Sequence, residues 1–198
     1  MIGDPRLEPA MAAIVAGGVV GIPTDTVYGI GCDPRAAAAV ERIYAIKGRP
    51  ADLELGLLAA DLEQVCRVAV MGAGALRLAA AFWPGPLSLV VPVREPRSLA
   101  VPRAGDTVSV RVPDHGLLCD LLRRTGPLAT SSANRHGDPA CTNAAEVEAR
   151  LGAELDVILD GGPAEGRAST IIDLAQATPR VLRSGPLTDE QLRPYLRD

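Results

Sequence analysis

A chain of 198 residues with 47% hydrophobic content is long enough to bury a substantial core as one domain and too apolar to be disordered. Its formal charge of −4 argues against a free-standing nucleic-acid binder, which usually shows a basic balance, but leaves room for a local basic cleft. No apolar run is of membrane-spanning length and Met1-Ile-Gly-Asp-Pro5 lacks the basic start of a signal peptide, so the expected location is the cytoplasm.

Pro5 to Ala16 carries Leu7, Met11, Ile14 and Val15 at helical spacing and ends at Gly17-Gly18, which predicts a first helix with a glycine stop. Val19-Val-Gly-Ile-Pro23 predicts a short strand, and Thr24-Asp-Thr-Val-Tyr-Gly-Ile-Gly31 a polar turn just past its end. Asp33-Pro34 reads as a helix start, Asp as N-cap and Pro in the first turn, with Val40, Ile43, Tyr44 and Ile46 facing the core. Leu55 to Ala59 predicts a buried strand and Asp61-x-x-Gln64 a capping box. Gly74 to Phe82 predicts a helix stopped by Trp83-Pro-Gly-Pro86. Leu87 to Val93 and Thr107 to Val112 are the clearest strands; the second puts Val108, Val110 and Val112 on one face and Thr107, Ser109 and Arg111 on the other.

Asp114 to Leu122 predicts a further helix, and Pro127 to Asn134 a strand that runs into a hydroxyl-rich turn. Asn143-x-x-Glu146 caps a helix to about Leu151, and Thr188-x-x-Gln191 caps one at the C-terminus. Asp156 to Leu159, Thr170 to Leu174 and Pro179 to Arg183 complete the strands. Helices and strands interleave without repeat or long linker, an α/β domain, and the neighbouring strands near residues 87–112 make its sheet mixed.

Nineteen of the twenty basic residues are arginine; the single lysine is Lys47, in Tyr44-Ala-Ile-Lys-Gly-Arg-Pro50. A compact ammonium and the planar fork of Arg49 on one short turn point to a bound anion. The same residues also fit a solvated helix end, where cations complement the macrodipole. No P-loop, G-x-G-x-x-G or G-x-S-x-G motif occurs, and no Ser–His–Asp triad can be argued. The four cysteines (Cys32, Cys66, Cys119, Cys141) form no C-x-x-C and share no ligand spacing with the two histidines, so they read as reduced, mostly buried small hydrophobes. The chemistry is left to polar turns that each follow an apolar strand: Thr24 to Tyr28, Lys47 with Arg49, Ser131 to Asn134, Ser169-Thr170 and Arg183-Ser184.

Seven motifs in order carry a resemblance: Pro23-Thr-Asp-Thr-Val-Tyr-Gly29, Lys47-Gly-Arg-Pro50, Phe82-Trp-Pro-Gly-Pro86, Val110-Arg-Val-Pro-Asp-His115, Ser131-Ser-Ala-Asn134, Ser169-Thr-Ile-Ile-Asp173 and Leu182-Arg183. Together they resemble the YrdC/TsaC threonylcarbamoyl-AMP synthases, from about Leu7 to Tyr195. The resemblance implies an open, twisted mixed α/β sheet with flanking helices and a large concave cleft. It implies synthesis of threonylcarbamoyl-AMP and pyrophosphate from L-threonine, bicarbonate and ATP, with Mg²⁺ bound through the triphosphate. The product would pass to a tRNA-threonylcarbamoyl transferase that modifies an adenosine beside the anticodon, with at most weak tRNA contact by this chain. The family signature K-x-R…S-x-N falls on Lys47, Arg49, Ser132 and Asn134 as catalytic residues. Threonine contacts map to Thr24, Arg111 and Ser169, and nucleotide contacts to Arg49, Thr107, Ser132, Asn134 and Arg183. Lys47 would neutralise charge at the α-phosphate.

Two stretches depart from the family pattern. Asp52-Leu-Glu-Leu-Gly56 follows Arg49, with Leu53 at a nucleotide-contact position and Glu54 placing negative charge near the phosphates; Arg135-His136-Gly137 replaces a usual Ser-Gly pair. His136 is expected as an exposed loop residue and His115 as a group that caps or packs at a helix start. The alternatives are a paralogous enzyme on the same scaffold, either a carbamoyl-AMP-type transferase or one acting on modified tRNA, and a non-catalytic RNA-binding factor. Short length counts against the carbamoyl-AMP-type transferase and the acidic balance against the RNA-binding factor.

Overall fold

The computed structural model describes residues 4–48, 54–101 and 105–196. Within them run α1 (Leu7–Val15), β1 (Val20–Ile22), β2 (Gly29–Cys32), α2 (Ala37–Lys47), β3 (Gly56–Leu58), α3 (Leu62–Val68), α4 (Ala73–Phe82), β4 (Leu87–Pro92) and β5 (Thr107–Arg111). They continue with α5 (Gly116–Thr125), β6 (Leu128–Ser132), α6 (Ala144–Leu151), β7 (Val157–Ile158), β8 (Thr170–Asp173), β9 (Arg180–Arg183) and α7 (Asp189–Leu196). All the strands join one sheet in the order β7-β1-β2-β6-β3-β5-β4-β8-β9. Its pairs β1–β7, β3–β5 and β4–β8 are parallel and the rest antiparallel, so the expected mixed α/β sheet is present.

Strand alternation decides what each face does. One face buries Ile30, Leu57, Leu87, Leu89, Val108 and Val110 with Ile43 of α2, Val65 of α3, Leu78 of α4 and Val147 of α6. The opposite face buries Val20, Ile22, Leu58 and Leu128 under Leu7 and Ile14 of α1 and Leu118, Leu121 and Leu122 of α5. Each fully buried leucine contributes about 2 kcal/mol. On the second face α1 and α5 cover only the strands near β1; beyond Leu58 it lies open.

The helix ends follow the expected chemistry in most places. Asn143 Oδ1 accepts from the Glu146 N–H at 2.9 Å while Glu146 Oε2 accepts from the Thr142 N–H at 2.9 Å. Thr188 and Gln191 exchange the same kind of bonds at α7, and Asp61 accepts from the Gln64 N–H at α3. Gly17 and Gly48, at φ 77° and 60°, end α1 and α2 in the left-handed region open to glycine.

Three expectations change. Gly29–Cys32 is a strand, although two of its four residues are glycine. The second helix begins at Ala37, because Asp33 turns back on Arg35, accepting from its N–H and its guanidinium, and caps nothing further on. The N-cap of α5 is His115, whose ring accepts from the Leu118 N–H, and Asp114 lies outside. His115 thus caps as expected, and Cys32, Cys119 and Cys141 are buried while Cys66 is half-buried.

Asp156 ties the sheet to α2: its Oδ2 accepts from the Val19 N–H and from Arg42 Nη1, each at 2.7 Å. Burial would raise its pKa, but these two hydrogen bonds outweigh it and hold the carboxyl below its ordinary value. A folded-state pKa depressed in this way stabilises above the unfolded value and loses that gain as pH falls through the folded one. Asp156→Ala is therefore expected to cost about 1 kcal/mol at neutral pH, discounted for partial exposure. Urea denaturation should show the gap to wild type closing as the pH falls below the ordinary carboxylate range.

Candidate functional site

The open part of the second sheet face is paved with short side chains. Gly56 lies opposite Thr130, Leu58 opposite Arg111, Ser109 opposite Val90 and Ser88 opposite Ile171. This surface forms the floor of a cleft of about 440 Å³. Thr24, Glu54, Gly56, Ser88, Ser109, Arg111, Ser132, Asn134, Ser169 and Arg183 are among its walls. A side chain at Gly56 would project into this space, since an added Cβ meets nothing nearer than Ser109 Oγ at 3.7 Å. Gly56→Leu should therefore fill the cleft, abolishing ligand binding in calorimetry while leaving the melting temperature at or above that of wild type; Gly56→Ala should retain binding.

One wall is the turn after β6. Lys47, only 3% exposed, reaches it from the last turn of α2. Its Nζ donates to Ser132 O at 2.7 Å, Asn134 O at 2.9 Å and Asn134 Oδ1 at 3.1 Å, with Ser132 Oγ at 3.4 Å. Ser132 Oγ donates to Asn134 Oδ1 at 2.6 Å, and Asn134 Nδ2 donates to the carbonyls of Arg135 and Asp138. The bonds run both ways across the junction. Arg135 Nη1 donates to Ile46 O at 2.6 Å, the His136 N–H donates to Lys47 O at 2.7 Å, and Arg135 pairs with Glu154. The C-terminal carbonyls of α2 are thus capped by the turn that α2 itself supports. Lys47 lies one layer beneath the cleft and is not among its lining residues.

A second wall follows β1. Thr24 Oγ1 donates to Val27 O at 2.7 Å and accepts from the Thr26 and Val27 N–H groups, a closed hydroxyl turn. Arg111, at the end of β5, leans into it. Its Nε donates to Gly85 O at 2.9 Å, Nη1 to Thr26 Oγ1 at 2.8 Å and Nη2 to Asp25 Oδ1 in an ion pair. Burial lowers the pKa of Arg111 most, Asp25 opposes this, and Arg183 adds repulsion. The third wall is β8–β9: Arg183 Nε donates to Ser169 O at 2.9 Å and Nη2 to Ser169 Oγ at 3.0 Å, and Ser169 Oγ lies 2.9 Å from Ser88 Oγ. Burial lowers the Arg183 pKa as well. Two guanidiniums whose charge burial disfavours thus line the same cleft, an arrangement that an anion would relieve.

Of the expected site residues, the fold brings Thr24, Arg111, Ser132, Asn134, Ser169 and Arg183 to one cleft. Thr107 shares a strand face with Ser109 and Arg111 but does not line it. Arg49 and Leu53 lie outside the described residues. Glu54 does line the cleft, and His136 is exposed in its loop. Sequence reasoning gave no individual role to Asp25 or Thr26, within the polar turn Thr24 to Tyr28, nor to Ser88 and Gly56. For Ser88 the signal was there: on a strand that alternates, a lone serine between Leu87 and Leu89 must face away from the core.

The model of the Sua5/YciO/YrdC family, described as telomere recombination, matches residues 12–185. A Mycobacterium tuberculosis protein is 44% identical over 189 residues, covering 94% of this chain and 87% of the relative. A Vibrio vulnificus protein named threonylcarbamoyl-AMP synthase is 38% identical over 184 residues, 91% of this chain and 98% of its own length. Among solved structures, Pyrococcus abyssi Sua5 complexed with L-threonine is 38% identical with a TM-score of 0.89, covering 96% of this chain; the chain spans only 57% of that protein. On this breadth of match, and on a cleft assembled from the ordered motifs, the chain belongs to the Sua5/YciO/YrdC family.

Proposed function

We propose that this chain is a nucleotidyltransferase that makes threonylcarbamoyl-AMP and pyrophosphate from L-threonine, bicarbonate and ATP. The observation that carries the reading is the convergence of Arg111 and Arg183, with the hydroxyls of Thr24, Ser132 and Ser169, on one polar cleft. The V. vulnificus relative bears the name of this activity, and the P. abyssi relative was solved with L-threonine.

The threonine amine adds to carbon dioxide, supplied by bicarbonate with loss of water, to form an N–C bond and a carbamate. A carbamate oxygen then bonds to the α-phosphorus of ATP as the bond to the β-phosphate oxygen breaks and pyrophosphate leaves. No protein nucleophile is required, so the protein lowers the barrier by positioning and by neutralising charge. Arg111 pairs with the threonine carboxylate beside Thr24 and Ser169. Arg183, with Ser132, Asn134 and Arg49, grips the nucleotide. Lys47 acts from behind, shaping the Ser132–Asn134 turn and lending it positive charge. Mg²⁺ carried by the triphosphate would add charge neutralisation at the phosphates.

The chain works as one domain over residues 1–198. The product is an acyl phosphate-type anhydride, consumed by a transferase that acylates an adenosine amine in tRNA. No helix among the described residues is long and apolar enough to cross a membrane. Incubation with ATP, L-threonine and ¹³C-bicarbonate, followed by mass spectrometry, tests the reading. The label should appear in an adenylate that also contains threonine; an unlabelled adenylate, or none, would refute it.

A further inference from the structure

Arg111 carries five N–H donors. The fold commits three of them, to Gly85 O, Thr26 Oγ1 and Asp25 Oδ1. The guanidinium faces the cleft, whereas Asp25 is not among the lining residues and its side chain is only 14% exposed. The carboxylate therefore touches the arginine without lining the cleft. Among the described residues it is also the one acidic group paired with Arg111, from a loop 86 residues away in the chain.

We propose that Asp25 is a positioning residue for L-threonine binding, acting only through Arg111; this rests on the reading of Arg111 as the threonine-carboxylate partner. Three physical effects follow from the pair. Asp25 and Thr26 lock a long, rotamer-rich side chain before the ligand arrives, so binding does not have to order it. The carboxylate gives the buried guanidinium a counter-charge in the empty cleft, where burial disfavours its charge. The bonds to Nη1, Nη2 and Nε also fix the plane of the fork. One N–H on Nη1 and one on Nη2 are left for a ligand, and a carboxylate accepts from such a fork in bidentate fashion. ATP, gripped on the Arg183 side, should not depend on this support.

The test is calorimetric titration of L-threonine and of ATP, each alone, into the wild-type chain, Asp25→Asn, Asp25→Glu, Arg111→Met and the double variant Asp25→Asn/Arg111→Met, with melting temperatures throughout. Asp25→Asn keeps size and one hydrogen bond while removing the counter-charge, so it should fold. The expected result is threonine affinity weakened at least tenfold by Asp25→Asn and less by Asp25→Glu, with ATP affinity within twofold of wild type. In the Arg111→Met background, Asp25→Asn should change threonine affinity no further and should raise the melting temperature above that of Arg111→Met alone, because the orphaned carboxylate is gone. Equal losses for both ligands, or a threonine effect that persists undiminished without Arg111, would overturn the proposal while leaving the synthase reading intact. Unchanged threonine affinity in Arg111→Met would overturn the assignment of Arg111 itself, and the role of Asp25 with it.

Discussion

Lys47→Met is expected to lower stability by about 3 kcal/mol, near 10 °C in Tm for a domain of this size, and to abolish activity. Methionine keeps most of the unbranched stem and removes only the ammonium. What it leaves behind is a set of acceptors, Ser132 O, Asn134 O and Asn134 Oδ1, that the ammonium bonds within 3.1 Å. Buried acceptors deprived of a charged donor cost about 1–3 kcal/mol each when water cannot reach them, and partial relaxation brings the sum to the lower figure. The turn that carries Ser132 and Asn134 then loses its shape. Lys47→Arg should restore the charge and part of the stability without restoring activity. A planar fork cannot direct three N–H groups to oxygens grouped around one nitrogen, and the pocket around a residue 3% exposed has no room for the longer head. Thermal melts with pyrophosphate-release assays on both variants check this; an active Lys47→Arg would show that any cation suffices.

Arg111→Lys should be the more selective lesion. The charge stays, so the penalty of an unpaired Asp25 is avoided, yet one ammonium cannot replace the bonds to Gly85, Thr26 and Asp25 and still present a fork to the cleft. kcat/KM for L-threonine is expected to fall about 100-fold or more, the scale of losing a preorganised donor set. The loss should appear chiefly as a raised KM for L-threonine, with KM for ATP little changed. Steady-state kinetics with each substrate varied in turn measures the split.

Much of this fold was legible because local rules and tertiary context agree. Val108, Val110 and Val112 alternate with Thr107, Ser109 and Arg111, and the strand they define has its polar face in the cleft. Asn143 and Thr188 announce their helices three residues before the Glu and Gln that answer them. Gly29–Cys32 was not legible as a strand, since glycine has no β-propensity; it is held there by ladders to β1 and β6 on both sides.

The site was legible as a set of polar turns but not as an order of contacts. Lys47 stood out by composition, yet nothing local says that it points inward, under the turn of Ser132. Its burial depends on a pairing with residues 85 and 87 positions away. Arg135 read as a departure from the family pattern because its work, capping α2 at Ile46 O and pairing with Glu154, exists only once α2 and the turn have met. Asp25 reads in the sequence as one polar residue among several; its meaning comes entirely from Arg111.

ATP–pyrophosphate exchange, with L-threonine and bicarbonate each omitted in turn, bears most directly on the proposed reaction. Reversal requires the α-phosphate to be bonded to a carbamate oxygen, so label should pass between pyrophosphate and ATP only when both threonine and bicarbonate are present. Exchange that proceeds equally well without threonine would contradict the account.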